Sequence, residues 1–365
     1  MNNNSGLINA GKNKNDEFYT QYSDIENEMN AYIEFNPDVF KGKTVLLPCD
    51  DPEWSNFTKY FANNFEQLGL KKLISTSYAR SAGNKLLTLF EEQSPLYDAD
   101  LHAVRGKLFI LTHDTNASGN IDIDDIEFSG YLEGDGDFRS DEVCKLRDEA
   151  DVIITNPPFS LFREFVSWVF RGKKKFIIIG HQNAITYKEI FPYLKDNQMW
   201  IGHGFKSNVG YFYAPDYVDY AVAGQHKEGF IRVSGVMWFT NIEHEKRYEI
   251  LSLDTMAHNL KYNKQLLKKF AKLGVDNYPK YDNYDAIEVP FTECIPSDYD
   301  GVMGVPITFL NKYNPEQFEI VGWSRHNEYN MDGGYWHQGT NNDALINGKS
   351  LYRRILIRKR KSASL

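Results

Sequence analysis

Apolar and polar positions follow two regimes along the chain. Up to about residue 200, short continuous apolar runs alternate with amphipathic stretches. Thr44–Pro48 reads as a fully buried strand. It runs into Cys49-Asp50-Asp51-Pro52, where Asp51 is placed to cap a helix and Pro52 to occupy its first position. Phe57, Tyr60, Phe61, Phe65 and Leu68 then recur at helical spacing up to Gly69, and Lys72–Tyr78 is the next strand. Asp151–Thr155 is another apolar run, ended by two prolines that cannot continue a central strand. Leu161, Phe162, Phe165, Val166, Val169 and Phe170 mark the helix after it, and Phe176–Ile179 the following strand. Buried runs alternating with helices predict an α/β fold with a largely parallel sheet. Residues 79–127 look irregular. Beyond 200 the strands, among them Gly235–Thr240 and Val302–Leu310, are separated by Tyr-, Asn-, Asp- and Gly-rich loops. The pattern predicts a disordered, Asn-rich lead-in over 1–15, one α/β domain over 16–240 and a second region over 241–365.

Composition narrows the classes. At 365 residues, with 42% hydrophobic and 25% charged positions, the chain is an ordinary globular one. A net charge of −9 argues against histone-like coating of nucleic acid, but leaves room for one local basic face. Lys349, Arg353, Arg354, Arg358, Lys359, Arg360 and Lys361 are the candidate for that face, with no acidic residue between them. Leu351–Ile357 within it also reads as a structural strand. Aromatic residues reach 15%, most of them suited to core packing and a few to stacking on bases. Cys49, Cys144 and Cys294 are widely spaced, which predicts a reducing compartment, no disulfide framework and no metal site. No apolar run is long enough to span a membrane, and the polar start has no signal-peptide pattern, so a cytoplasmic protein is expected.

The sharpest chemical signal is Asn156-Pro157-Pro158-Phe159, at the carboxyl end of a strand, where open α/β sheets place their ligands. An exocyclic amine on a purine is a poor nucleophile because its lone pair is delocalised. Two acceptors aimed at its N–H bonds draw the nitrogen toward tetrahedral geometry. The Asn156 side-chain oxygen and the Pro157 carbonyl supply such a pair. The prolines fix the backbone and present no competing N–H, and Phe159 offers a face for stacking. This is catalysis by positioning and preorganised dipoles. Asp137 is placed to accept from the amino group of an adenine-bearing cofactor, with Phe138 against its ring. Cys49, Asp50 and Asp51 lie where a nucleoside or methionine moiety would sit, and Phe18-Tyr19-Thr20 is placed to close over the methionine end. Tyr211 and Phe212 are candidates for holding a displaced base.

These motifs, in this order, resemble the gamma-type arrangement of DNA adenine-N6 methyltransferases, and more closely the EcoRI-type adenine methyltransferase family. DEFYTQYSDIENE, CDDPEWSNFTKYF, LGLKKLI, GDGDFRS, TNPPFSLFRE, ITYKE, YPKYDNYDAI and GVMGVPITFLNKYNPEQFEI carry the resemblance, from about residue 15 to the C-terminus. It implies a class I S-adenosylmethionine-dependent methyltransferase fold with a C-terminal target-recognition region. Asn156, Pro157, Pro158 and Phe159 would be catalytic. Phe18, Tyr19, Thr20, Cys49, Asp50, Asp51, Asp137 and Phe138 would line the S-adenosyl-L-methionine pocket. Double-stranded DNA would be met by Tyr211, Phe212, Arg353, Arg354 and Arg358, in a monomeric enzyme working beside a cognate restriction endonuclease or alone. There are departures. LPCDDP replaces the Gly-rich loop common among methyltransferases, and KLISTSY lacks the acidic residue that often holds the cofactor ribose. Two alternatives stay open: methylation of RNA or of a protein glutamine, and a silent cofactor- or DNA-binding protein. No GxGxxG follows the first strand, which counts against a nicotinamide oxidoreductase.

Overall fold

The structure is a computed structural model that describes residues 19–50, 55–79, 97–213, 230–325, 331–339 and 343–360. It divides into two units, Met1–Gln182 with Gly202–His244, and Asn183–Ile201 with Glu245–Leu365. The division expected at residue 240 compares with a unit edge at His244. Asn183–Ile201 groups with the second unit through contacts that no local pattern reveals. The lead-in, Phe18, Asp51 and Lys361 lie outside the described residues.

The first unit opens with β1 (Tyr19–Thr20), α1 (Tyr22–Phe35), β2 (Thr44–Pro48), α2 (Asn56–Asn63) and β3 (Lys72–Thr76). It continues through α3 (Ala99–Val104), β4 (Lys107–Leu111), β5 (Glu127–Tyr131), α4 (Asp141–Glu149), β6 (Val152–Thr155), α5 (Phe162–Arg171) and β7 (Lys175–His181). β8 (Val209–Tyr213), β9 (Phe230–Ser234) and β10 (Val236–Thr240) complete it. Within the first unit the main sheet runs in the order β5-β4-β3-β2-β6-β7-β10. Its centre, β3-β2-β6-β7, is parallel, and β4, β5 and β10 attach antiparallel at the sides. β2 and β6 are buried along their whole length, which is why they carry no polar alternation. On one face Val45, Leu47, Leu73, Ile154, Ile177 and Ile179 belong to a single core with Phe57 and Phe61 of α2 and Ile25, Met29 and Tyr32 of α1. Truncating a fully buried ring such as Phe61 to alanine costs about 3–5 kcal/mol. A smaller antiparallel sheet, β1-β8-β9, pairs Thr20 with Phe212.

Three expected elements change. The helix after the first strand starts at Asn56, capped by the Ser55 hydroxyl, which accepts from the Phe57 and Thr58 amides; Asp51 and Pro52 are not its cap and first residue. The stretch expected to be irregular holds α3 and β4, and β4 pairs with β5 at and beyond its end; their mixed buried and half-exposed positions suit a sheet edge. Val302–Leu310 is a strand only over Met303–Pro306, after which Ile307–Lys312 coils into a 3₁₀ turn.

The second unit has its own sheet of β11 (Ile287–Glu288), β12 (Met303–Pro306), β13 (Phe318–Trp323) and β14 (Arg354–Lys359), ordered β11-β12-β14-β13. Among the described residues, no helix is long and apolar enough to cross a membrane.

Candidate active site

The parallel centre of the main sheet brings the carboxyl ends of β3, β2, β6 and β7 to one edge. From β2 the chain goes to β3 on one side, while β6 lies on the other. The crevice at that reversal is where open α/β sheets hold ligands.

On the β2 side, Cys49 adopts φ 68, a left-handed conformation uncommon outside glycine. The turn is pinned to β3 by a bond from the Asp50 amide to the Thr76 carbonyl at 2.8 Å. Asp50 is buried, and its carboxylate accepts from Ser55 Oγ at 2.8 Å and Thr155 Oγ1 at 2.7 Å. The Ser75 hydroxyl donates to the Asp50 carbonyl. Asp50 thus turns its carboxylate to helix α2 and strand β6, a use that its place in the sequence does not disclose.

On the β6 side, Asn156 follows Thr155 directly, with its side-chain oxygen shielded from solvent. Pro157 is buried, and Pro158, at φ −52 and ψ 123, opens a 3₁₀ turn over Phe159–Leu161 that leads into α5. Phe159 is half-buried against the core. Two prolines in a row impose this stop: the ring of each removes an N–H and fixes φ.

Tyr19 and Thr20 join the same neighbourhood through α2. The Asn56 side chain donates to the Thr20 carbonyl at 2.7 Å, and Gln21 donates to the Tyr211 carbonyl at 2.9 Å. The hydroxyls of Thr20 and Thr76 are buried and find no partner among the described residues. An unpaired buried hydroxyl costs about 1–3 kcal/mol. A ligand bearing hydroxyl, amino and carboxylate groups would satisfy both, so the residues present fit an S-adenosylmethionine-like cofactor. Thr76 ends the strand that lacks the expected acidic residue.

Asp137 and Phe138 stand differently from expectation. The Arg139 guanidinium spans the Asp137 carboxylate at 2.9 and 2.6 Å and reaches Glu164 at 2.6 Å, holding the Asp137 carboxyl below its ordinary value. Phe138 is 2% exposed and packs edge-on against Phe165 and Trp168. It is a core ring, not a cofactor face. The turn before it needs glycine: Gly136 has φ +84, and a Cβ there would run into the Ser77 carbonyl.

The nucleic-acid candidates also divide. In β8, Tyr211 is exposed while Phe212 is fully buried in the core, as strand alternation requires. In the second unit part of the basic run, Arg354, Arg358 and Lys359, lies in β14. Arg354 is buried and bonds Glu288, itself fully buried, at 2.8–3.2 Å. Arg358 pairs with Glu319 at 2.6 Å and Lys359 with Asp300 at 3.3 Å. Arg353 lies over the Trp323 ring, 5.2 Å from its centroid. Arg354 and Phe212 are therefore structural, removed from any DNA surface by burial. Ser55, Thr76 and Thr155 are the site residues the sequence did not single out. The one detectable signal was a threonine closing each of two strands, KLIST and VIIT; Ser55 had none.

The model of the family described as adenine-specific methyltransferase EcoRI matches residues 6–360. The chain belongs to that family. It is 40% identical to the type II methyltransferase M.EcoRI of Escherichia coli, over 97% of this chain and 96% of that one. It is 33% identical to the type II methyltransferase M.MgeORF184P of Mycoplasma genitalium, over 96% and 97%, and 32% identical to the type II methyltransferase M.MpnI of Mycoplasma pneumoniae, over 97% and 98%. No solved structure gives a significant match. The enzyme is accordingly an adenine-specific methyltransferase with a class I S-adenosylmethionine-dependent fold. Methyltransferases of this class draw their methyl group from S-adenosylmethionine.

Proposed function

We propose that this adenine-specific methyltransferase methylates N6 of an adenine rotated out of double-stranded DNA, at a specific site, as the modification half of a type II restriction-modification system. The observation that carries the reading is Asn156-Pro157-Pro158-Phe159 at the end of β6, beside the reversal of strand order. A cognate endonuclease would act on the same site without direct contact.

S-adenosylmethionine, when bound, supplies an electrophilic methyl group on a sulfonium. The chain's own residues do the rest. Asn156 Oδ1 and the Pro157 carbonyl would accept the two N6 hydrogens, freeing the amine lone pair to attack a bound methyl donor. Phe159 stacks on the base, and Tyr211, whose ring is exposed on β8, is the residue we assign to brace it. Thr20 and Thr76 offer hydroxyls to the cofactor, with Tyr19, Cys49 and Asp137 along the same edge. In a duplex one N6 hydrogen is bonded to thymine, so the acceptor pair works only on a flipped base. Flipping costs a few kcal/mol, of which stacking returns roughly 1–3. The second unit carries target recognition, with Arg353 and the exposed side of Arg358 as its basic contacts.

Sequencing of modified bases in DNA from cells expressing the protein tests the reading: N6-methyladenine within one short sequence is expected. Unmodified DNA, or methylated RNA or glutamine in its place, would sink it. With 2-aminopurine at the target position, binding should raise fluorescence, and Phe159→Ala should lower that rise.

A further inference from the structure

Thr155 and Asp50 are 105 positions apart in sequence, yet they meet at the ends of adjacent strands. Thr155 Oγ1 lies 2.7 Å from Asp50 Oδ2 and 2.7 Å from the Pro48 carbonyl oxygen. Its single proton therefore sits between two acceptors of the same turn. Both side chains are buried, Thr155 completely. The remaining groups of Asp50 are spoken for: Oδ1 by Ser55 at the head of α2, the carbonyl by Ser75, and the amide by the Thr76 carbonyl. One residue thus holds β2, β3, α2 and β6 together at the edge where the site lies. The residue after Thr155 is Asn156. A β-branched side chain has a stiff χ1, so seating the Thr155 hydroxyl fixes the direction in which the backbone leaves β6.

We propose that Thr155 is a positioning residue. Its hydroxyl, lodged on Asp50 and Pro48, sets the distance and angle between the Asn156 acceptor and the methyl donor held at the end of β2. The inference rests on the reading of Asn156 and of the β2 end given above. Methyl transfer needs the amine lone pair, the methyl carbon and the sulfur in line, and a misplacement of about 1 Å can cost on the order of a hundredfold in rate. A buried hydroxyl–carboxylate bond between the two strand ends removes that freedom at a point one residue from the acceptor. Acting through the backbone that carries Asn156, the bridge should, when lost, slow the chemical step and spare binding.

Thr155→Val removes the hydroxyl at nearly constant shape, and Thr155→Ser keeps it. Single-turnover transfer of labelled methyl from S-adenosylmethionine to a duplex oligonucleotide gives the rate. Calorimetric titration gives S-adenosylmethionine affinity, and fluorescence anisotropy gives DNA affinity. For Thr155→Val the rate should fall about ten- to a hundredfold, with both affinities within about threefold of the unaltered enzyme. Thr155→Ser should recover most of the rate. Should the valine variant not fold, Thr155→Ala carries the same comparison. An unchanged rate in the valine or alanine variant overturns the proposal. So does a rate that falls only in step with both affinities, or a serine variant no better than valine. Failure of the unaltered enzyme to methylate adenine in DNA would instead count against the functional reading, leaving this comparison with no rate to explain.

Discussion

Replacing Thr76 by valine should move cofactor affinity and ligand-free stability in opposite directions. The Thr76 side chain is fully buried, and its hydroxyl has no partner among the described residues. Without ligand, the hydroxyl is a desolvated polar group whose burial opposes folding by about 1–3 kcal/mol. Valine has the same branching and puts a methyl where the oxygen was, so most of that cost disappears. A gain near 1 kcal/mol corresponds to roughly 2–4 °C in Tm for a unit of this size. With S-adenosylmethionine bound, the same hydroxyl gains a partner worth about 0.5–1.5 kcal/mol net, and its loss weakens binding about three- to tenfold. Thermal unfolding of the ligand-free protein and calorimetric titration with S-adenosylmethionine read the two effects separately. Thr76→Ser should bind close to normally. A valine variant that unfolds at lower temperature and binds the cofactor as well as the unaltered protein would refute the reasoning, because Thr76 would then be contributing to the fold alone.

Asn156→Ala should lower the single-turnover rate about a hundred- to a thousandfold while S-adenosylmethionine affinity stays within tenfold, as titration and rapid-quench assays would show. Arg354→Met should leave Glu288 buried without its guanidinium, lowering stability by about 3–5 kcal/mol in urea unfolding. For the protein that stays folded, the salt slope of DNA binding should be unchanged, since Arg354 makes no phosphate contact. His181, at the end of β7, is held below its ordinary pKa of 6.5 by burial, opposed in part by its hydrogen bond to the Ser234 backbone. Protonation therefore favours the unfolded chain: its contribution is fully present above about pH 6.5 and is lost as pH falls below that value. Urea midpoints at pH 8 and pH 5.5 should differ less for His181→Asn than for the unaltered protein.

The parallel core was legible because strands buried on both faces must be apolar along most of their length, and Thr44–Pro48 and Val152–Thr155 are, apart from one terminal threonine each. Asn156 to Phe159 was legible for the converse reason, since two prolines in a row have few uses at a strand end. What was hidden depends on partners far away in sequence. Arg354 looks like its basic neighbours until Glu288, 66 positions earlier, is placed beside it. Asp50 reads as a ligand contact alone until Thr155 arrives from β6 and shows its second use as a link between strands. Phe138 follows Asp137 in a turn, and only the packing of Phe165 and Trp168 shows which way its ring goes. The β4–β5 hairpin escaped because its alternation is interrupted by a long polar loop between the two strands.

Strand β14 adds a constraint on how this chain can change length. Its residues point alternately to the two faces of its sheet, so Arg354 and Leu356 share one side and Ile355 and Ile357 the other. Were the loss of one residue from the stretch 347–353 to slide β14 by one place, those sides would exchange. Ile355 would then meet the Glu288 carboxylate, and Arg354 would be turned toward the apolar face. Deleting two would restore the alternation and move only the pairing partner. Lineages of this enzyme should therefore tolerate even-numbered changes of length before β14 far more readily than odd ones, whatever the exposed turn itself can absorb.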